Sequence, residues 1–516
     1  MRKRSKPGAR SVEGRAWFPP YLFYAGLVLL SLALPAILTL RSTRKPVVHD
    51  GLGDGDAGVP ASPVDMIKPD MTRRTAFSEI PLPETGPVSP SLWQGIAEGI
   101  PSAPRSLHDV HLVFSTDCSP YQNYQSLILF HSAEVAEQQG RVTRVASGCT
   151  GEEQEELQAL MDKQPERFGV HFTPDYSLDE ATGRRYMFYN KPNGMAHFLR
   201  HVDPPVTAAV VALLDPDMVI MSAITPYVGN PDAMLWHHPE FADGPEWVVE
   251  GKPVGQFYGL GAYWASWPDL EGITEHLGPE TPARHVPPGE AGVMYPVGPP
   301  YLMHPHDWAR IIDVWVGLAP KTFGGHPGIL AEMYAFCLAA AHLRLRHRVA
   351  YALMVSDSNM AIREGWPLVE VLGTDVCDPS AVDNHRGSLP PVVHYCQLYR
   401  VGTYMFGKRH KSHHAFFSCD SDSLQLPPPN YLATPMGSLR VHPKHQSAKS
   451  DKMMSEEHVD IKTGIRQGYA MCAVLRAMNI AQVSYKNRYC RPEEVSGGVR
   501  RFTDLTVAQV AMDKFG

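Results

Sequence analysis

The stretch Val206 to Ile220, VTAAVVALLDPDMVI, is an apolar run that breaks on two carboxylates, Asp215 and Asp217, and then turns apolar again. Its shortness, its wealth of Val, Ala and Leu, and the Pro204-Pro205 pair ahead of it predict a buried central strand of an α/β sheet. Pro216 stiffens the turn between the acids. Two hard oxygen ligands one residue apart suit Mn²⁺ or Mg²⁺, and an ion held there can also grip a diphosphate. The same residues describe a solvated turn whose acids cap backbone amides, so the motif acquires meaning only from its neighbours.

Upstream, Val110 to Asp117 (VHLVFSTD) has the pattern of an apolar strand ending in small polar residues. Asn123 to Gln138 has a helical pattern with Gly140 as its stop, and Arg141 to Ser147 follows as a second strand. Strand, helix, strand with this crossover length predicts a parallel pair. Ligands of open α/β sheets sit beyond the carboxyl ends of the strands, which makes Ser115, Thr116 and Asp117 candidates for binding a nucleotide and Asp215 and Asp217 candidates for its phosphates. An ordinary strand-to-helix cap accounts for Ser115 to Asp117 equally well.

The formal charge of −7 leaves no overall basic footprint, which argues against nucleic acid as a main partner. Arg2, Lys3, Arg4, Lys6, Arg10 and Arg15 precede a mostly apolar segment from Trp17 to Leu40, long enough to cross a bilayer as a helix. The heavier basic cluster lies on its N-terminal side, so the expectation is a cytosolic tail (1–16), an uncleaved membrane anchor (17–40) and a lumenal remainder, with a cleaved signal peptide as the rival reading. Residues 41–106 are rich in Gly, Pro, Asp and Ser and read as a flexible stem. The eight cysteines fit lumenal disulfides, form no CxxC or zinc pattern, and leave the connectivity open. Tail, anchor and stem describe a single-pass type II protein of the Golgi or ER, a layout shared by enzymes and tethered receptors.

The ordered series FSTDCSPYQNYQSLILFHS, GRVTRVASGC, YNKPNGMAHFLRH, LLDPDMVIMSAITPY, GKPVGQFYGLG, VGPPYLMHPHDW, AEMYAFCLAAAHLRLRH, VVHYCQLYRVGTYMFGK and LPPPNY, within Val110 to Asn430, resembles the hydroxyproline O-arabinosyltransferase and peptidyl serine α-galactosyltransferase family of plants and green algae. The resemblance implies a GT-A-like (Rossmann-like) catalytic domain over 107–430, a UDP-sugar donor, a divalent metal and retention of anomeric configuration, followed by a C-terminal extension (431–516). By position, Asp215 and Asp217 match the acidic metal motif, His394 matches a late histidine that completes the metal shell, and Lys408 matches a lysine that neutralises diphosphate charge. Lys191 matches a position ahead of the metal strand that contacts donor phosphate, and Glu332, in the EMY segment, matches a carboxylate that orients sugar or acceptor.

The residues by themselves leave plainer roles open. His394 suits a core or cap histidine, and Lys408, like His410, Lys411, His413 and His414 beside it, suits a solvated basic face. Lys191 suits a turn, and Glu332 suits the positive end of the helix expected after Pro327-Gly328 and running on to His347. The chain also departs from the family: Gly328-Ile329 stands where an aromatic is usual, Gly407 replaces an acid before the late lysine, and QFYGLGAYWASWPDL lacks an acidic-rich element of the serine galactosyltransferases. The resulting expectation is transfer of an arabinosyl or galactosyl unit from a UDP-sugar to hydroxyproline or serine of hydroxyproline-rich glycoproteins. The alternative is an inactive membrane-tethered protein that binds sugar nucleotide or glycoprotein. A glycosidase is disfavoured, because acids one residue apart are poorly placed to flank a glycosidic bond. Thr463 to Asn487 has the pattern of a helix that leads to Cys490 and folds back as a brace.

Overall fold

The structure, a computed structural model, describes residues 92–163, 167–402, 404–409, 415–433, 461–496 and 498–500. The expected tail (1–16), anchor (17–40), stem up to residue 91, and basic run 410–414 lie outside the described residues. Among the described residues no helix is long and apolar enough to cross a membrane.

In chain order the first half runs β1 (Val110–Thr116), α1 (Pro120–Val135), β2 (Val142–Ser147), α2 (Gly151–Met161), β3 (Phe168–Thr173), α3 (Asn190–His201), β4 (Val210–Leu214) and β5 (Met218–Ile220). The second half supplies β6 (Val254–Phe257), β7 (Val297–Met303), α4 (Pro305–Gly325), α5 (Ala331–His342), β8 (Arg348–Ala350), β9 (Met354–Val355), β10 (Val392–His394), β11 (Leu398–Val401), β12 (Tyr404–Gly407) and α6 (Ile461–Tyr489). A mixed seven-stranded sheet has the order β8-β6-β7-β4-β1-β2-β3. Strands β3, β2, β1 and β4 are mutually parallel, whereas β7 runs antiparallel to both β4 and β6. Every residue of β4 is buried, as expected for a central strand covered on both faces.

From β1 the chain builds outward through β2 and β3, then returns to lay β4 on the other side of β1. This reversal of strand order opens a crevice at the carboxyl ends of β1 and β4. Asp215, Pro216 and Asp217 occupy that edge and carry the chain from β4 into β5, which belongs to a separate three-stranded sheet of order β9-β10-β5. The acids thus stand at the junction of two sheets, where their carboxylates lie outside either sheet's hydrogen-bond ladder.

Several boundaries differ from the sequence expectation. Helix α1 starts at Pro120, because Ser119 caps it by accepting from the Gln122 amide and Pro120 is preorganised for the first turn. Helix α5 stops at His342 instead of continuing to His347, since Arg344 turns into the left-handed region (φ 52°) and directs the chain into β8. Residues 92–106, expected as the end of a stem, lie against the body. Trp93 is buried there, the Ala97 amide donates to Val206 O, and the Glu250 amide donates to Ser102 O.

Among the described residues, two large apolar clusters underlie the sheets. One packs β1, β4 and α1 around Leu112, Phe114, Phe130 and Leu214. The other gathers Tyr395, Tyr399 and Phe406 around Tyr469, Met471 and Leu475 of α6. Helix α6, somewhat longer than the expected helix, is therefore part of the body. Disulfides Cys377–Cys472 and Cys419–Cys490 tie it down at two points, and Cys118–Cys149 joins the ends of β1 and β2. Cys337 and Cys396 carry free thiols.

Candidate active site

Strand register explains how residues remote in sequence meet at the acids. In the β5–β10 pair Met218 lies opposite His394, and the Tyr395 amide donates to Asp217 O at 3.0 Å. His394 Nε2 consequently approaches Asp217 Oδ1 to 3.2 Å and Asp215 Oδ2 to 4.0 Å. The β11–β12 hairpin pairs Leu398 with Gly407, which brings Lys408 back beside the same strand end, where its Nζ contacts Asp217 Oδ2. Tyr124 of α1 anchors this return by donating from its hydroxyl to Lys408 O.

A second charge network abuts the first. Lys191, in the first turn of α3, places Nζ 2.8 Å from Asp215 Oδ1 and 2.9 Å from Glu332 Oε1. Glu332 is only 1% exposed. Its backbone is held by Trp315 of α4, whose indole N–H donates to Glu332 O at 2.9 Å, and by Tyr186, whose hydroxyl accepts from the Glu332 amide at 3.4 Å. Asp215 joins the two networks.

Burial opposes charge on each of these groups, and the partners decide the outcome. Burial would raise Asp217, but Lys408 and His394 hold its carboxyl well below the usual carboxylate range. Burial would lower Lys408, and Asp217 more than reverses that, so its ammonium stays charged. Lys191 is likewise raised against burial, by Asp215 and Glu332. His394 is raised despite burial, by Cys396 and Asp217. Burial pushes Glu332 up and Lys191 offsets it only in part.

Asp215, Asp217 and His394 each present a ligand atom, all within 4.8 Å of one another. Two carboxylates and an imidazole are a donor set for a divalent ion such as Mn²⁺, so these residues fit the expected metal. Ligation needs the lone pair of a neutral imidazole, so metal uptake would release the His394 proton, while Asp217 can offer Oδ1 and keep Lys408 on Oδ2.

The fold thus assembles Asp215, Asp217, His394, Lys191, Lys408 and Glu332 in one cluster. Ser115 to Asp117 lie at the same edge, because Phe114 pairs with Leu214, yet two of their side chains are engaged locally. Thr116 Oγ1 accepts from Arg144 Nε, and Asp117 Oδ1 accepts from the amide and hydroxyl of Ser119. Ser119, and neither Thr116 nor Asp117, caps α1, and Asp117 in turn holds Ser119. Sequence reasoning missed Tyr258, whose hydroxyl lies 3.3 Å from His394 Nδ1, and Tyr186 beneath Glu332. Tyr258 sits in the GKPVGQFYGLG segment, which by itself carries no chemical signature.

No family model matches the chain. A peptidyl serine alpha-galactosyltransferase of Arabidopsis thaliana is 29% identical over 261 residues, covering 48% of this chain and 27% of that protein. One of Chlamydomonas reinhardtii is 25% identical over 421 residues, covering 75% of this chain and 47% of that protein. Both relatives fall in the family that the sequence motifs resemble, and the chain spans less than half the length of either. Among solved structures, the galactosyltransferase LgtC in complex with donor and acceptor sugar analogues overlaps 56% of this chain and 87% of its own, at 13% identity and a TM-score of 0.31. The apo bifunctional glycosyltransferase WbbM overlaps 59% of this chain and 48% of its own, at 11% identity and a TM-score of 0.31.

Proposed function

We propose that this relative of the peptidyl serine α-galactosyltransferases is itself a glycosyltransferase with a GT-A-like domain. It would move a galactosyl or arabinosyl unit from a UDP-sugar to serine or hydroxyproline of a hydroxyproline-rich glycoprotein, with retention. The observation that carries this reading is the convergence of Asp215, Asp217 and His394 at the carboxyl edge of β1 and β4. The relatives' own activity supports galactosyl transfer to serine. The departures at Gly328-Ile329 and Gly407 keep the arabinosyl donor in view.

A Mn²⁺ or Mg²⁺ ion held by Asp215, Asp217 and His394 would neutralise charge gathering on the departing diphosphate. Lys408, whose ammonium contacts Asp217 at the same strand end, would add positive charge where the diphosphate departs and so favour the transition state over the ground state. Lys191 holds Asp215 and Glu332 in register, so the buried Glu332 carboxylate can orient a sugar or acceptor hydroxyl. In a retaining transfer the acceptor hydroxyl attacks the anomeric carbon on the face that UDP leaves, and a donor phosphate oxygen takes its proton. The disulfides that brace α6 and join β1 to β2 suit an oxidising compartment such as the lumen of the Golgi or ER, and the type II placement rests on the basic cluster ahead of the apolar segment 17–40.

Purified protein screened with UDP-galactose and UDP-arabinofuranose against serine and hydroxyproline peptides should turn over one pair when Mn²⁺ is added. Asp217→Ala should abolish that turnover, and undiminished activity in this variant would end the assignment. One observation favours the tethered-binder alternative: Lys191 already pairs Glu332, whose side chain is shielded from solvent. Calorimetry with UDP and Mn²⁺ separates the two, since a binder takes up both without consuming donor.

A further inference from the structure

Three histidines lie in a row at the far edge of the main sheet, outside the candidate active site, with His197 in the middle and the ligand nitrogens of all three not yet within 4.8 Å of one another. His171 lies on the edge strand β3, while His197 and His201 are four residues apart on α3, a spacing that puts two imidazoles on one helix face. His171 Nε2 and His197 Nδ1 are 2.9 Å apart, and their ring centroids are separated by 5.1 Å. The ring centroids of His197 and His201 lie 4.6 Å apart. His171 and His197 are half-buried and His201 is exposed, so an ion can reach them from solvent.

The electrostatic surroundings suit a cation ligand set. The charged groups facing His171 are the other two histidines, and those facing His197 are His201 and Arg200. Burial first, then these neighbours, push His171 down to about 4, so it is neutral at physiological pH with a lone pair to offer. Arg200 is engaged elsewhere, on Asp313 and over the Trp93 ring. The cluster also stands at the carboxyl end of α3, where the helix dipole favours positive charge.

We propose that His171, His197 and His201 form a site for a borderline-soft divalent cation of the Zn²⁺ class, separate from the Asp215, Asp217 and His394 cluster. An all-imidazole set selects Zn²⁺, Co²⁺, Ni²⁺ or Cu²⁺ over Mg²⁺ and Mn²⁺, which prefer oxygen. Bonds of about 2.0–2.1 Å from nitrogen to the ion spread tetrahedral ligands somewhat wider than the present hydrogen bond, so the His171–His197 pair opens by a few tenths of an ångström. The exposed His201 imidazole swings in, and water takes the fourth position. The ion would clip α3 to β3. It would lie roughly 9–15 Å along α3 from Lys191, by helix rise.

The test uses the full chain in the Asp217→Ala background, with Co²⁺ as a spectroscopic probe in excess Mg²⁺. The expected result is one equivalent of Co²⁺ with tetrahedral visible absorption, lost in His197→Ala and weakened about tenfold or more in His201→Ala. Zn²⁺ should also raise the unfolding midpoint of the Asp217→Ala protein by several degrees, and of its His201→Ala derivative by much less. His201 is exposed at the end of its helix, so that variant tests the site even if His197→Ala fails to fold. Absence of tetrahedral Co²⁺ absorption, a spectrum that survives His197→Ala, or weak multi-equivalent binding indifferent to His201→Ala would each overturn the proposal.

Discussion

Lys191 holds two carboxylates at once, Asp215 at 2.8 Å and Glu332 at 2.9 Å, with little solvent around any of the three. Removing its charge strands both acids, so Lys191→Met should destabilise the metal-free chain by about 3–5 kcal/mol, measured by urea unfolding. Glu332→Gln differs in kind, because Lys191 keeps Asp215 and the volume is conserved. Its fold should survive while kcat falls about 100-fold, the scale of a lost positioned carboxylate. A stable Glu332→Gln variant with full turnover would remove Glu332 from the chemistry. The bridge itself was not legible in the sequence, since Lys191, Asp215 and Glu332 are far apart in the chain and only the packing of α3 on β1 and β2, with α4 lying against both α3 and α5, brings them together.

Strand β7 and helix α6 each show an element acting on the site from a distance. A Cβ on Gly298 of β7 would come within 2.3 Å of the Tyr258 ring and 2.5 Å of Met333 Cε, so glycine permits the close approach that puts the Tyr258 hydroxyl near His394. Gly298→Ala should displace Tyr258 and weaken Mn²⁺ binding about tenfold by calorimetry, as expected when a partner behind a ligand is lost. Unchanged affinity would mean that Tyr258 does not orient His394. Helix α6 buries Tyr469, Met471 and Leu475 in the core beneath β11 and β12, and Cys377–Cys472 crosslinks it across 95 residues. Replacing Cys377 and Cys472 together by alanine should cost about 2–5 kcal/mol of unfolding free energy. The helical pattern of α6 was visible in the sequence. Its place in the core was not, because the pattern says which element forms and leaves open what it covers.

Across the whole molecule, several buried histidines set the response to acid. Burial pushes His111 and His347 down to about 3 and His131 and His171 down to about 4, with Arg141 adding to the effect at His111. Groups lowered on folding bind protons more readily when unfolded, so each loses stability as pH falls below the unfolded value of about 6.5. Glu364 and Asp307, raised by burial to about 7 and about 6, and Glu332, also raised, act in the opposite sense and gain stability as pH falls through those values. His394, raised on folding, is protonated in both states below 6.5 and adds nothing there. The histidines outnumber the raised acids, so the metal-free chain should lose on the order of 1–3 kcal/mol between pH 6.5 and pH 5. Urea midpoints at the two values check this, and a midpoint that rises with acid would contradict it.

By itself the sequence determined the buried strand that stops at Asp215 and Asp217, the strand-helix-strand opening and the terminal helix, because hydrophobic period and turn chemistry are local quantities. Through its ordered motifs it also pointed to the relatives, and with them to His394, Lys191, Lys408 and Glu332 as candidates. Only the tertiary structure decided that these residues share one charge network and that Thr116 and Asp117 are spent on Arg144 and Ser119. It also decided which cysteines pair. Register and strand order govern those contacts across separations as long as the 191 residues between Lys408 and Asp217, and no local pattern carries information over that span.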